Sequence, residues 1–275
     1  MTAFPRPAVM GVLNVTPDSF SDGGAFLDPA AAVAHAERMA GEGADLVDVG
    51  GESTRPGAEP VPAEEELRRV MPVIERLAER GGIPLSIDTS KAVVARAATS
   101  AGAVLVNDVT ALRGDPAMAA VVADSGAELC LMHMRGDPRT MQDDPRYGDV
   151  VAEVRDFLEE RLRFAAARGI PEERVWLDPG IGFGKTLVHN LELLRRLDEI
   201  VALGRPVIVG ASRKRFIGTL TGRAESDRVA GGVAANVLAY QRGAHMFRVH
   251  DVSQTRDALT VAAATVGDAA DPDEG

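Results

Sequence analysis

The stretch VMGVLNVTPDSFSDGG (residues 9–24) changes abruptly from apolar to polar. Its first five residues carry no polar side chain, which is typical of a parallel strand buried on both faces. Asn14 and a run of hydroxyl and carboxyl side chains follow, while Pro17 and the Gly23-Gly24 pair end any regular strand or helix. The stretch predicts a buried strand that opens into a polar loop, although an ordinary strand-to-helix turn has the same pattern.

The same change recurs along the chain, and an amphipathic segment follows each apolar run. Further strands are predicted at residues 46–52, 84–89, 104–109, 128–133, 175–178, 206–212 and 245–251, and helices at residues 29–41, 62–80, 91–102, 116–126, 147–169, 187–203, 226–242 and 253–266. Eight such units without a break in composition predict an α/β fold, a TIM (β/α)8 barrel, in a single domain over residues 1–275. The alternative, an open doubly wound sheet, usually has fewer strands and a Gly-x-Gly-x-x-Gly turn, which is absent after the first strand.

Composition and charge exclude several classes of protein. The chain has 41 acidic against 30 basic residues, a net charge of −11, which argues against binding to nucleic acid. An anionic ligand would therefore need a local group of cations or a metal. No apolar run is long enough for a membrane span or a signal peptide, so we expect a cytoplasmic protein. Cys130, the single cysteine, is expected to be a small buried hydrophobic residue, and the acidic residues 267–275 a disordered tail.

Polar side chains stand at the carboxyl end of nearly every predicted strand. They are Asn14, Glu52, Asp88, Asn107, Asp108, His133, Asp178, Ser212, Arg213, Lys214, Arg248, His250 and Asp251. In a barrel these ends meet at one mouth, so the side chains converge on one pocket. Single positions also have structural interpretations: Asp88 or Asp251 as a helix cap, Asp178 in a turn, and His133 as a core residue.

The residue types indicate a ligand class. Asp88, Asn107 and Asp178 offer oxygen acceptors to a flat heterocycle with adjacent N–H donors. Lys214, Arg248 and His250 follow strands seven and eight, where barrels often bind phosphate. Asn14 offers a neutral oxygen that, together with substrate phosphates, suits Mg²⁺. The sequence GFGK (residues 182–185) lacks the spacing of a nucleotide-binding phosphate loop.

Seven motifs carry a resemblance over nearly the whole chain. They are NVTPDSFSDGG (14–24), ESTRPG (52–57), SIDT (86–89), ND (107–108), DPGIGFGK (178–185), SRK (212–214) and RVHD (248–251). In these motifs the sequence resembles the bacterial dihydropteroate synthases of folate biosynthesis. The resemblance implies a homodimeric TIM-barrel transferase that uses Mg²⁺. It would join (7,8-dihydropterin-6-yl)methyl diphosphate to 4-aminobenzoate and release diphosphate.

The resemblance also implies residue roles. Pterin contacts fall to Asp88, Asn107, Asp178 and Lys214, with Arg248 packed against the ring, and diphosphate and metal contacts to Asn14, Arg248 and His250. The first two loops would build the aminobenzoate site from Asp22, Thr54, Arg55 and Pro56, beside Phe183 and Lys214. Asp88, Lys214, Arg55 and Asp22 are the predicted catalytic residues. Arg215 stands where some relatives have a serine that contacts aminobenzoate.

Sulfonamides should compete at the aminobenzoate site, with Phe20, Thr54 and Pro56 as the positions expected to alter the response. Two rival functions share part of this pattern. A pterin-dependent methyltransferase would share Asp88, Asn107 and Asp178 as pterin contacts but would not need the first two loops. A non-catalytic paralogue would bind a pterin without turning it over.

Overall fold

A ring of eight parallel strands forms the centre of the molecule. The structure, a computed structural model, describes Phe4 and residues 6–16, 28–55 and 57–267. The strands are β1 (Ala8–Asn14), β2 (Leu46–Gly50), β3 (Leu85–Asp88), β4 (Leu105–Asp108), β5 (Glu128–Met132), β6 (Val175–Asp178), β7 (Ile208–Val209) and β8 (Met246–Val249). They pair in the order β6-β5-β4-β3-β2-β1-β8-β7, and a parallel bridge from Leu177 to Val207 joins the two ends. The predicted TIM barrel is confirmed.

Helices surround the strands, and side chains mark where several of them begin. Within the described residues they are α1 (Pro29–Gly41), α2 (Ala63–Arg80), α3 (Ala92–Ser100), α4 (Met118–Ser125), α5 (Val150–Ala167), α6 (Leu187–Arg195), α7 (Asp198–Val201), α8 (Arg215–Thr221), α9 (Val229–Gln241) and α10 (Val252–Val266). The carboxylates of Asp28 and Asp149 accept hydrogen bonds from backbone N–H groups in the first turns of α1 and α5.

Three details of the sequence-based assignment are wrong. The helix predicted over residues 187–203 is two helices, because Arg196 leaves helical geometry and directs its guanidinium to Asp149 and Glu199. The helix predicted from residue 226 begins at Val229, after a short 3-10 turn. Helix α8 was not predicted, since its seven residues are too few to show a clear helical period.

Alternation along the strands separates two apolar layers. One set of side chains packs outward against the helices, and the other fills the barrel near the amino ends of the strands. The interior set comprises Phe4, Ala8, Met10, Leu46, Leu105, Cys130, Trp176, Ile208 and Met246. Cys130 is fully buried, and burial raises the pKa of its thiol well above the ordinary value, so it is the inert core residue that was expected.

No helix in the described parts of the chain combines the length and apolar character needed to span a bilayer. The tail predicted to be disordered lies outside the described residues, apart from Gly267.

Three charged side chains hold the base of the loop after β2. Lys91 donates hydrogen bonds to Glu52, at the start of this loop, and to Glu66 Oε2 of α2 at 2.5 Å. Glu66 is fully buried. Gly51 lies so close to α2 that an added Cβ would stand 2.8 Å from Val70 Cγ1. The loop therefore starts from a fixed point on the barrel wall.

Replacing Lys91 tests this ionic anchor. Lys91→Met leaves Glu66 buried without its cation, so we expect the free energy of unfolding to fall by about 3 kcal/mol. The matched control, Arg68→Ala, removes an exposed pair with Glu65 and should cost less than about 1 kcal/mol. Urea denaturation measures both, and equal losses would contradict the anchoring role.

Candidate active site

The inward-facing positions change from apolar to polar toward the carboxyl ends of the strands. Asp48 lies two residues after Leu46 in β2, and Asn107 two residues after Leu105 in β4, so each polar residue shares a face with an interior apolar residue. Asp88 is the register partner of Asn107 across β3 and β4. The alternation of side chains along the strands thus brings these polar groups together next to the apolar residues that fill the barrel.

The guanidinium of Arg248, on β8, lies at the centre of this group. Its Nε donates to Asp48 Oδ2 at 2.6 Å and its Nη2 to Asp88 Oδ2 at 2.7 Å. Asn107 Nδ2 donates to the same Asp48 oxygen at 3.0 Å. Both carboxylates and the amide are buried, whereas 22% of the Arg248 side chain remains exposed. These contacts join β2, β3, β4 and β8 into one polar floor.

Asp48 was missed by the sequence-based prediction. It stands in the middle of the apolar strand LVDVG rather than at its end, so the search along strand ends passed over it. A detectable signal was present: a carboxylate in phase with Leu46 must enter the barrel and therefore needs a buried partner.

Burial and charge set the protonation of the floor. Burial raises the pKa of Asp88 to about 7 despite the opposing attraction of Arg248. Burial also raises the pKa of Asp178, against the attraction of Lys214. Burial by itself lowers the pKa of Arg248, but Asp48 and Asp88 attract its charge more strongly and the net shift is upward. The floor therefore holds a fixed cation beside a carboxyl group that titrates near neutral pH.

Lys214 and Phe183, from the loops after β7 and β6, contact each other. The Lys214 ammonium lies 4.5 Å from the centre of the Phe183 ring and donates a hydrogen bond to the carbonyl of Ile181. Burial lowers the pKa of Lys214 to about 8, with Asp178 opposing the shift. Gly182 has a φ of +86°, and a Cβ there would stand 3.0 Å from Lys214 Cδ, so glycine allows this close approach.

His133 is a buried core residue, in agreement with the structural interpretation given in the sequence analysis. The Lys185 ammonium lies 2.9 Å from His133 Nδ1 and donates to the carbonyl of Phe183 at 3.0 Å. Burial and the charge of Lys185 lower the pKa of His133 to about 2. The pair ties the loop that carries Phe183 to the end of β5.

His250 is a neutral group in this structure. Its backbone N–H donates to Ser212 Oγ at 3.2 Å, and its Nδ1 lies 3.1 Å from the same oxygen. Burial, followed by the charge of Arg248, lowers the pKa of His250 to about 4. His250 can therefore offer a hydrogen bond to an anion at neutral pH, while Arg248 supplies the charge.

Two other polar strand-end residues have structural roles. Asp108 does not join the floor, because its carboxylate accepts hydrogen bonds from the backbone of Thr110 and Leu112 and shapes the loop after β4. Asp251 does not cap α10 with its side chain and instead pairs with Arg213. Asp178 accepts the backbone N–H of Gly180 at 2.6 Å, in agreement with its turn interpretation, and lies near enough to Lys214 for the two charges to interact.

The loop residues lie at the rim. Thr54 lines a cleft of about 440 Å³, open to solvent, that also reaches Asp88. Arg55 is 64% exposed and pairs with Glu225 at 3.2 Å. The predicted positions Phe20, Asp22 and Pro56 lie outside the described residues.

Asn14 is the residue to which the sequence analysis assigned a metal. It ends β1, and its Oδ1 lies near Asp88: both oxygens are 3.8 Å from the position where a Cβ on Gly50 would stand. No cluster of three or more His, Cys, Asp or Glu able to hold a metal exists among the described residues. A magnesium ion here would therefore take most of its ligands from substrate phosphate and water, which Mg²⁺ tolerates well.

Comparison with known proteins agrees with this geometry. A family model described as pterin binding enzyme matches residues 10–250. The dihydropteroate synthase of Escherichia coli K12 is 48% identical over 261 residues, which cover 95% of this chain and 92% of the relative. The chain belongs to the dihydropteroate synthase family.

Solved structures of dihydropteroate synthases share the fold closely. The Xanthomonas albilineans enzyme, solved with 4-aminobenzoic acid, is 57% identical with a TM-score of 0.90, over 95% of this chain and 93% of that one. The Yersinia pestis enzyme, solved with a sulfonamide drug, is 46% identical with a TM-score of 0.91, over 95% of both chains. The family assignment made from the motifs is confirmed.

The raised pKa of Asp88 predicts a pH-dependent affinity for a dihydropterin. Only the ionised carboxylate can accept hydrogen bonds at both oxygens, and with a pKa near 7 its ionised fraction rises about tenfold between pH 6 and pH 8. We expect the affinity for 6-hydroxymethyl-7,8-dihydropterin to rise about tenfold over that range, as measured by calorimetry. Asp88→Asn should bind more weakly and show no such rise. A constant affinity in the unaltered chain would contradict the role of Asp88.

Proposed function

We propose that this chain condenses (7,8-dihydropterin-6-yl)methyl diphosphate with 4-aminobenzoate to give 7,8-dihydropteroate and diphosphate. One observation carries the proposal: a buried floor of oxygen acceptors lies directly beside the fixed cation Arg248. Such a floor suits a heterocycle with N–H donors, and the adjacent cation suits its anionic substituent. The family assignment supports the same reaction.

The pterin would lie on the floor. Asp88, Asp178 and the amide oxygen of Asn107 would accept from its amino group and ring N–H groups, because carboxylate oxygens offer acceptors only. Lys214, buried near Asp178, would donate to the acceptor atoms of the ring. Arg248, joined to both sides of the floor, would border the ring and the leaving group together.

The diphosphate would lie at the ends of β1 and β8. Arg248 would supply charge there, and His250 a neutral hydrogen-bond donor. Asn14 would hold Mg²⁺ together with the diphosphate oxygens. When bound, the ion neutralises charge on the leaving group.

The rim loops would form the aminobenzoate site. Thr54 lies in the loop after β2 and Phe183 in the loop after β6. Arg55 stands on the first of these loops, whose base is fixed by Lys91. Asp22, from the first loop, would complete this site. Sulfonamides would occupy it in place of aminobenzoate, as the Yersinia pestis relative solved with such a drug suggests. We also propose a cytoplasmic homodimer.

The reaction needs no covalent bond to the protein. The carbon–oxygen bond of the pterin methylene breaks, and its electron pair leaves with the diphosphate. The arylamine nitrogen then bonds to that carbon and loses a proton. Asp88 and Asp178 stabilise the positive charge that develops on the ring, and Arg248 stabilises the leaving charge. Positioning of the amine supplies the rest of the rate enhancement.

One assay separates this function from its rivals. We expect diphosphate release from the pterin substrate to depend on 4-aminobenzoate, and a sulfonamide to inhibit it competitively. A methyltransferase or a non-catalytic paralogue would release none under either condition. The ESTRPG motif of the second loop, which a methyltransferase would not need, favours the synthase.

Failure of release, in a chain shown by calorimetry to bind the dihydropterin, would refute the synthase and leave the paralogue. Release without inhibition by any sulfonamide would refute the placement of aminobenzoate at the rim. The two results are distinct because the first concerns turnover and the second concerns the outer site alone.

Arg55 provides a test of the rim. We expect Arg55→Ala to weaken the binding of 4-aminobenzoate about tenfold when diphosphate is present, because a charge-assisted contact to the anion is lost. Equilibrium dialysis with labelled aminobenzoate measures this. Glu225→Ala is the matched control, since it breaks the same exposed ion pair but keeps the cation. Equal losses in both variants would show that the ion pair, rather than Arg55 itself, maintains the site.

A further inference from the structure

The carboxylate of Asp48 has no part in the reaction described above, yet it contacts two other members of the floor, Arg248 and Asn107. It is fully buried and stands two residues before the end of β2. Its Oδ2 accepts one hydrogen bond from Arg248 Nε and another from Asn107 Nδ2. Its Oδ1 is buried without a hydrogen-bond partner in the described structure. A buried, unpartnered carboxylate oxygen costs stability, so this residue is a poor choice for stability alone.

The first contact decides how Asn107 faces a ligand. An amide can turn either its oxygen or its nitrogen toward a neighbour, and the neighbour's chemistry selects between them. Asp48 Oδ2 already receives an N–H from Arg248, which can only donate, so this oxygen acts as an acceptor. Asn107 must therefore direct its NH2 group to Asp48, and its Oδ1 remains as the acceptor for a ligand.

The second contact decides how Arg248 responds to a substrate. Arg248 is shared between two carboxylates, through Nε to Asp48 and through Nη2 to Asp88. A pterin that takes the oxygens of Asp88 competes with Nη2. The contact to Asp48 is made by a different nitrogen, Nε, and does not use the oxygens of Asp88, so the pterin does not compete for it. Arg248 can thus release Asp88 and remain fixed in direction.

We infer that Asp48 is a positioning residue of the pterin site. Resting on the proposed function, the inference is that Asp48 fixes Asn107 as an acceptor toward the donor edge of the heterocycle and holds Arg248 in place when Asp88 binds the ring. Asp48 acts through Asn107 and Arg248 rather than by touching the pterin. Asp88 and Asn107 then both present acceptor oxygens to one edge of the heterocycle, which selects a ring with adjacent amino and N–H donors over one with carbonyls at the same edge.

The test is a double-mutant cycle with Asn107, read by calorimetry with 6-hydroxymethyl-7,8-dihydropterin as the probe. We expect Asp48→Ala to weaken binding about tenfold in the otherwise unaltered chain. In the Asn107→Ala background the same substitution should cost less, about threefold, because the path through the amide is gone and only the path through Arg248 remains. The same loss in both backgrounds, or no loss in the first, would overturn the inference.

Asp48→Asn keeps the test decisive if the alanine variant does not fold. Its amide oxygen can replace Oδ2 and accept both hydrogen bonds, so we expect pterin affinity within about threefold of the unaltered chain and an undiminished resistance to urea. If Asp48→Asn abolishes pterin binding, the charge of Asp48 matters rather than its geometry, and the inference is overturned. If the unaltered chain itself does not bind the pterin, the proposed function fails and the inference fails with it.

Discussion

The site depends on the ion pairs of the partly buried Arg248 guanidinium with Asp48 and Asp88. A cation in this position must be compensated, and two carboxylates from neighbouring strands compensate it. The same two carboxylates could not lie side by side without that cation. Strand pairing, charge balance and the shape of the floor therefore depend on the same contacts.

The arrangement also explains why charged and neutral side chains occupy different parts of the barrel mouth. Arg248 keeps its charge, whereas His250 and His133 are held neutral by burial and nearby cations. Fixed charge is concentrated where a leaving diphosphate would lie. Groups with pKa values near neutrality, Asp88 and Lys214, stand where a neutral ring would bind.

Much of this could be predicted from the sequence, for physical reasons. Eight buried runs that each end in polar residues specify a barrel with one polar mouth, and Asp88, Asn107, Asp178 and Arg248 were found in this way. Asp48 was not found, because a residue within an apolar strand is assigned to the core unless one asks which face of the strand its side chain occupies. Asp108 was grouped with Asn107, although adjacent strand residues point to opposite faces.

Other features depended on contacts that no local pattern contains. At the break after α6, the Arg196 side chain contacts Asp149, which caps α5, and Glu199 of α7. Asp149 is distant in sequence, and α7 is too short to show a helical pattern. The ion pair of Arg55 with Glu225 joins two loops that are far apart in the sequence. Such pairings follow from the closed ring rather than from the residues on either side.

The anchor formed by Glu52, Lys91 and Glu66 has a consequence for drug resistance. It fixes the base of the rim loop to α2 through ion pairs that include no residue of the floor. Exposed rim positions such as Arg55 can therefore change with little effect on the pterin contacts. An inhibitor that fills only the rim leaves the chain many routes of escape, whereas one that fills the floor meets residues that constrain each other's replacement.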